Sequence, residues 1–453
     1  MKRSRFSFLQ EWLLSEDRKP LVIRGARQVG KTWLVRHLAE SQKRRLIELN
    51  FERKPNLSSL FSSNDPHQTL LNISASFHQS IDPKECILFL DEIQAAPELF
   101  AKLRWFAEEL PEMPVLAAGS LLEFVLADHS FSMPVGRISY MHLEPLSFEE
   151  FLLACDKKRL VDYLENYQIK MDIPVVIHEE LSSSFKEYLI VGGMPAAVSS
   201  WSSKRSLQKV HQVHNDLLAT YRDDIVKYKG RIATERIEEV MGAVPRCLGE
   251  KFIYAKVNPA VQTASVKQAL DLLCKARICH KIIGSAANGI PLSAEVQEKY
   301  LKILYLDVGL CSTVLGLSLE QFNLADEIIL VNRGGLAEQV VGQILRTIDP
   351  PYKEPNLYYW HREEKGSSAE LDYVIEQGNK VIPVEVKAGS TGSIKSLHFF
   401  MGLKEFSFAV RVNSEIANIT EVNIKDHQGN PIQYTLLSIP FYLLGQLRRL
   451  IER

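Results

Sequence analysis

Between Leu21 and about Phe151, short apolar runs alternate with segments of helical periodicity. The runs are Leu21-Val-Ile-Arg24, Leu46-Ile-Glu-Leu-Asn50, Ile87-Leu-Phe-Leu90 and Val115-Leu-Ala-Ala-Gly119. Strands alternating with helices predict a mostly parallel sheet covered by helices on both faces. From about Asp156 to Lys229 the pattern turns helical, with Gly192-Gly193-Met194-Pro195 as a turn in its middle, and predicts a lid or connector. Next come a helix over Ile237 to Leu248 and a second from Thr263 or Ser265, with Val266, Leu270 and Leu273 on one face. Two apolar segments follow, Ile278 to Ile283 and Leu301 to Leu306, that suit a β-hairpin. Helices followed by a hairpin fit a winged helix, and equally any small α+β domain. The last stretch predicts a helix from Gly335 to about Ile348, several strands, and an amphipathic helix from about Tyr442 to Ile451 with Arg448, Arg449 and Arg453 on a solvated face. The expected domains are 1–155, 156–230, 231–312 and 313–453.

Composition narrows the class. With 453 residues, 46% hydrophobic and 24% charged, the chain is ordinary globular protein, which excludes collagen-like, disordered and disulfide-scaffold readings. Fifty-four basic side chains balance 55 acidic ones, so contact with nucleic acid has to come from a local patch. The six cysteines form no C-x-x-C pair and read as buried free thiols. The N-terminal Met-Lys-Arg-Ser-Arg opens like a signal sequence, but Gln10 and Glu11 interrupt the apolar run, and nowhere are eighteen apolar residues consecutive. A cytoplasmic location without a membrane partner is expected.

Gly25-Ala26-Arg27-Gln28-Val29-Gly30-Lys31-Thr32 directly follows an apolar strand and directly precedes a helix. This is the G-x-x-x-x-G-K-[ST] pattern of a P-loop in the context that gives it meaning. The glycines let backbone wrap around phosphate oxygens, the helix N-terminus and successive N–H groups supply partial positive charge, Lys31 adds a full one, and Thr32 can ligate Mg²⁺. Asp91 and Glu92 close another apolar strand. Behind a P-loop, Asp91 is expected to hold Mg²⁺ through water, and Glu92 to polarise the water that attacks the γ-phosphate of ATP.

These residues, with Leu90-Asp-Glu-Ile-Gln94, Ala118-Gly-Ser120 and Pro134-Val-Gly-Arg137, resemble the prokaryotic AAA-type ATPases related to the signal-transducing NTPases. The Gly192-Gly-Met-Pro195 turn is similar to one in that family's lid. The resemblance implies an α/β P-loop fold, a sensing role for Ser120 beside the γ-phosphate, and Arg137 as an arginine that stabilises transition-state charge, in cis or from a second copy in a homo-oligomer.

Near the other end, Ala369-Glu-Leu-Asp372-Tyr-Val-Ile-Glu-Gln-Gly378-Asn379-Lys-Val-Ile-Pro-Val-Glu385-Val-Lys387 reads as a hairpin closed by Gly378-Asn379. In such a hairpin paired positions have a constant sum, 378 + 379 = 757, and 372 + 385 = 757, so Asp372 stands opposite Glu385 with Lys387 on the same face. Leu371, Tyr373, Ile375, Ile382, Val384 and Val386 are expected on the other face. Opposed like charges ask for a cation, and Mg²⁺ suits carboxylate oxygens. Lys387 would orient the attacking water or balance charge on a phosphate. The pattern resembles the PD-(D/E)xK nuclease superfamily, although Leu371 rather than proline precedes Asp372. That resemblance implies Glu338, on the helix before, as a further metal ligand, and DNA as substrate. Two functions follow: an ATPase that gates a Mg²⁺-dependent nuclease through a DNA-docking winged helix, or a regulatory ATPase switch that binds DNA or protein and carries a silent nuclease-like fold. A small-molecule kinase would leave the later acids unexplained.

Overall fold

The four early apolar segments become β1 (Leu21–Arg24), β2 (Arg45–Asn50), β3 (Cys86–Asp91) and β4 (Val115–Ala118), and with a fifth strand, β5 (Ser139–His142), they form a parallel sheet in the order β2-β3-β4-β1-β5. The computed structural model describes residues 1–126, 134, 136–226, 230, 232–317, 333–364, 367–389, 393–426 and 428–452. Val135 of the Pro134–Arg137 motif and Arg453 lie outside them. Every residue of β3 and β4 is buried, as unbroken apolar runs require in a sheet covered on both faces. Leu88 and Leu90 of β3 pack with Phe100, Leu103 and Phe106 of the helix Leu99–Glu109. β5 escapes a reading by apolar runs because Ser139 and Tyr140 are only half-buried at the sheet's edge. Because the strands are parallel, the P-loop after β1, the acids ending β3 and Ser120 after β4 share one sheet edge.

The described residues divide into two units. The first is Met1–Glu144 with Lys275–Arg277 and Pro350–Glu354, and the second is Pro145–Cys274, Ile278–Asp349 and Pro355–Arg453.

The second unit begins with the helix Phe148–Ala154, inside the expected first domain, and continues with the expected helical stretch: Lys158–Asn166, Val175–Val191, Pro195–Lys204 and Leu207–Val226. The Gly192–Pro195 turn in its middle is held by Asp307. Gly192 has φ +69°, and a Cβ there would overlap the Asp307 carboxylate. Asp307 accepts from the Gly193 N–H at 2.6 Å, from Gly309 N at 3.0 Å, from Leu310 N at 3.2 Å and from Gln343 Nε2 at 3.0 Å. Burial pushes its pKa up to about 6 even so.

The remaining strands are β6 (Cys279–Ser285), β7 (Val296–Tyr305), β8 (Leu357–Glu364), β9 (Ser367–Gln377), β10 (Lys380–Val386), β11 (Phe408–Asn413), β12 (Asn418–Lys425) and β13 (Pro431–Pro440). They make one sheet in the order β12-β13-β11-β10-β9-β8-β6-β7. The helix Thr263–Lys275 and the antiparallel hairpin β6–β7 form as the periodicity predicts, whereas the helix expected over Ile237 to Leu248 is Thr234–Ala243, followed at Pro245 by a tighter 3-10 turn, Val244–Cys247. The hairpin is not a free wing, however. Ile282, Ile283 and Gly284 pair in parallel with Leu357, Tyr358 and Tyr359, so the sheet crosses the expected boundary at 312/313. The physical reason is that β6 is buried over most of its length and needs a neighbour on each side.

The last helix, Leu447–Ile451, corrects another expectation. Arg448 donates to Asp349 Oδ1 at 2.6 Å and to Gln377 Oε1 at 2.8 Å, and Arg449 donates to the carbonyls of Leu164 and Tyr167 at 2.9 and 2.8 Å. Arg448 is thereby half-buried, whereas Arg449 is exposed as expected and from there still reaches carbonyls at the end of the helix Lys158–Asn166. No helix among the described residues is long and apolar enough to cross a membrane.

Candidate functional site

The loop Gly25–Thr32 leaves β1 and enters the helix Lys31–Ser41 through Gly30, whose φ of +99° is natural only to glycine. Gln28 (φ +64°) also takes the left-handed conformation, so the chain turns tightly around the helix N-terminus. Lys31 is buried, 7% exposed, and its Nζ donates to the carbonyls of Gly25 at 3.0 Å and Ala26 at 2.8 Å. Burial pushes its pKa down to about 8, although Glu92 and Asp91 pull the other way. An ammonium held only by carbonyls of its own loop can exchange them for anionic oxygens. Arg27 lies 3.9 Å from Glu52, and Ala26 and Val29 are buried in the loop's inner side.

Thr32 Oγ1 donates to Asp91 Oδ1 at 3.2 Å, and Asn50 Nδ2 donates to Asp91 Oδ2 at 3.0 Å. Burial, then the neighbouring Glu92, raises the Asp91 pKa, a cost that a cation would relieve. A hydroxyl and a carboxylate in contact beside a P-loop fit Mg²⁺. Glu92, at φ +52°, turns away from the strand direction. Its Oε2 accepts from Gln94 Nε2 at 2.7 Å and from Ser120 Oγ at 3.5 Å. Lys31, Thr32, Asp91, Glu92 and Ser120 are therefore gathered on one sheet edge. Asn50 and Gln94 belong to the same set. The composition of their strands does not reveal them, though Asn50 ends an apolar strand as Asp91 does.

Residues 17–152 match the family model described as AAA domain. The match supports an AAA-type P-loop ATPase. Residues 182–321 and 333–430 match two further families, each described only as a domain of unknown function (DUF8612 and DUF4143). No curated protein matches the chain.

Within its own chain, Arg137 does not stand beside Lys31, Thr32, Asp91, Glu92 and Ser120. Parallel pairing sets Leu21 beside Ser139 and Arg24 beside His142, so Arg137 precedes the opposite end of β5 from the P-loop, at least about 10 Å away along the strand. Its Nε bonds Glu108 at 2.6 Å on the exposed surface. The arginines that do stand at the P-loop's edge are Arg24, the last residue of β1, and Arg277. Both bind Glu123, just beyond Ser120, with Arg277 Nε at 2.5 Å. Arg277 also reaches Glu354 at 2.9 Å and Glu144 at 3.9 Å. Sequence reasoning missed this network because its members are scattered from residue 24 to 354.

In the second unit the hairpin register follows the constant sum: Lys380 pairs with Gln377, Ile382 with Ile375 and Val384 with Tyr373. Asp372 and Glu385 come next. Instead of continuing the ladder, Asp372 Oδ2 accepts from the Val386 N–H at 2.7 Å. Lys387 Nζ donates to Glu385 Oε1 at 2.6 Å. One expectation fails locally. Tyr358 pairs with Val374 but Trp360 with Leu371, so Asp372 and Tyr373 together face Tyr359 in a bulge. Leu371 thereby joins Val374, Trp360 and Phe400 in the core. Tyr373 instead donates from its hydroxyl to the Glu338 carbonyl at 2.7 Å, on the helix Arg333–Leu345.

Glu338 does converge on Asp372, but through a residue that sequence reasoning missed. Lys302, from β7, bonds Glu338 Oε2 at 2.9 Å and Glu370 Oε1 at 2.5 Å, and lies 3.9 Å from Asp372 Oδ1. A lysine inside Tyr300-Leu-Lys-Ile-Leu-Tyr305 was the available signal, since a charge in an otherwise apolar run has to find partners. Among the described residues no group of three or more His, Cys, Asp or Glu side chains is arranged to hold a metal ion.

Proposed function

We propose that this chain binds and hydrolyses ATP at the Gly25–Thr32 loop, and that the nucleotide state of the first unit sets the behaviour of the second. The observation that carries the reading is the Lys31 ammonium, buried without an ion pair among the described residues and bonded to Gly25 and Ala26 carbonyls, beside the Thr32–Asp91 contact. Lys31 and the loop N–H groups bind the phosphates, with Thr32 and Asp91 holding Mg²⁺, which neutralises phosphate charge when bound. Glu92 takes up the proton side of an attacking water, oriented by its bonds to Gln94 and Ser120. Gly30 supplies the turn that brings these N–H groups together.

For the second unit, the reading as a DNA-recognising switch with a silent nuclease-like fold is favoured over active Mg²⁺-dependent cleavage. Lys387 is engaged with Glu385, and Asp372 with the backbone of its own sheet. Supercoiled DNA incubated with the full chain, Mg²⁺ and ATP tests both parts. Phosphate release with intact supercoils is expected. Absence of phosphate release would remove the ATPase, and nicking that vanishes in Asp372→Asn would establish the nuclease instead.

A further inference from the structure

We infer that Lys302 is the resident cation of the second unit's acid cluster, and that its ammonium takes the place of a divalent metal among Glu338, Glu370 and Asp372. The inference deepens the silent reading of that unit and rests on it for its functional meaning, but it is independent of ATP turnover.

Four observations converge. Lys302 is 1% exposed, so its ammonium has no recourse to water. Its carboxylate partners come from separate elements, Glu338 from the helix Arg333–Leu345 and Glu370 and Asp372 from β9, which meet around the one ammonium. The Tyr359 ring lies 5.2 Å from Nζ and adds its negative face. Burial alone would lower the Lys302 pKa, yet Glu338, Glu370 and Asp372 together raise it, so the charge is permanent.

A metal on Asp372 Oδ1 would stand within a few ångströms of this fixed charge, the geometry in which like charges repel most. The other Asp372 oxygen is bonded to the Val386 N–H. The remaining candidate ligand atom, Glu385 Oε2, is buried and without a hydrogen-bond partner. The other Glu385 oxygen, Oε1, is held by Lys387 Nζ at 2.6 Å, a second ammonium beside these acids.

The test is Mn²⁺ binding to the full chain without nucleotide, followed by titration calorimetry and by the Mn²⁺ electron-spin resonance signal. Wild type and Asp372→Asn are compared first, because Asn still offers an oxygen to Val386 and any Mn²⁺ at Asp91 is common to both. Equal Mn²⁺ uptake supports the inference, whereas uptake by wild type at least tenfold tighter than by Asp372→Asn overturns it. Lys302→Met is expected to gain one Mn²⁺ that Lys302→Met/Asp372→Asn loses. A folded Lys302→Met that gains none also overturns it, and if that variant does not fold, the first comparison decides. Cleavage of DNA is not the readout, so failure here is separable from failure of the silent-switch reading.

Discussion

Two lysines are buried among the described residues, and their surroundings make opposite things of them. Lys31 is held by two backbone carbonyls, and burial lowers its pKa to about 8. Lys302 is held by Glu338 and Glu370 with Asp372 beyond, and its pKa is raised. An ammonium removed from water and given only neutral acceptors retains unmet affinity for anions. One given its carboxylates is complete, and a divalent ion about 4 Å away meets repulsion on the order of 8 kcal/mol at an effective dielectric near 20. The first arrangement suits binding of an anion, and the second is the one proposed as a structural joint.

Exchanging each lysine for a neutral residue breaks the comparison most sharply. Lys302→Met strands buried carboxylates and is expected to cost about 3–5 kcal/mol of stability while leaving ATP affinity unchanged. Lys31→Met should leave thermal stability level or slightly higher, because an incompletely solvated charge is removed, while ATP binding fails. Thermal melts of both variants read this directly, and a Lys302→Met chain as stable as wild type contradicts it.

Glu92→Gln is expected to keep ATP affinity within about threefold and to slow turnover by roughly 100-fold or more, since the loss falls on proton acceptance in the transition state. Steady-state phosphate release and nucleotide titration separate the two quantities. Equal slowing with lost affinity would make Glu92 a binding residue.

Acidity sharpens the comparison further. Above pH 8 the free protein's Lys31 loses its proton, and bound phosphate raises its pKa again, so ATP binding at pH 9 takes up a proton and is roughly tenfold weaker than at pH 7. Calorimetry in buffers of different ionisation enthalpy measures the uptake; none at pH 9 would mean Lys31 is fully charged there. The smallest effect belongs to Arg137→Ala. At protein concentrations too low for self-association, turnover should change by less than about twofold, because the residue stands at the far end of β5. A larger loss in that dilute regime would bring Arg137 into its own subunit's site.

What was legible in the sequence was local. The strand–loop–helix spacing around Lys31 and the acids ending β3 follow from contiguous residues, and the 757 sum gives the hairpin register down to Val384 and Tyr373. Beyond that point the bulge at Asp372–Tyr373 redirects Leu371, and nothing in an alternating pattern marks where a bulge falls. The hairpin β6–β7 was legible as a pair, but its parallel partner β8 lies more than seventy residues on, a pairing that no short-range rule supplies. Lys302 and Arg277 were missed for the same reason: each has meaning only through acids distant in sequence. The resemblance that singles out Arg137 carries residue type but not the direction of β5, which sets it at the far end from the P-loop of its own chain.

The most direct measurement is a calorimetric titration of ATP with Mg²⁺ into the full chain, wild type beside Lys31→Ala. Saturable binding by wild type is expected, weakened at least about 100-fold in Lys31→Ala, the worth of two charge-assisted bonds of roughly 1.5–3 kcal/mol each. Equal affinity in the two proteins would contradict a phosphate site built around the Lys31 ammonium.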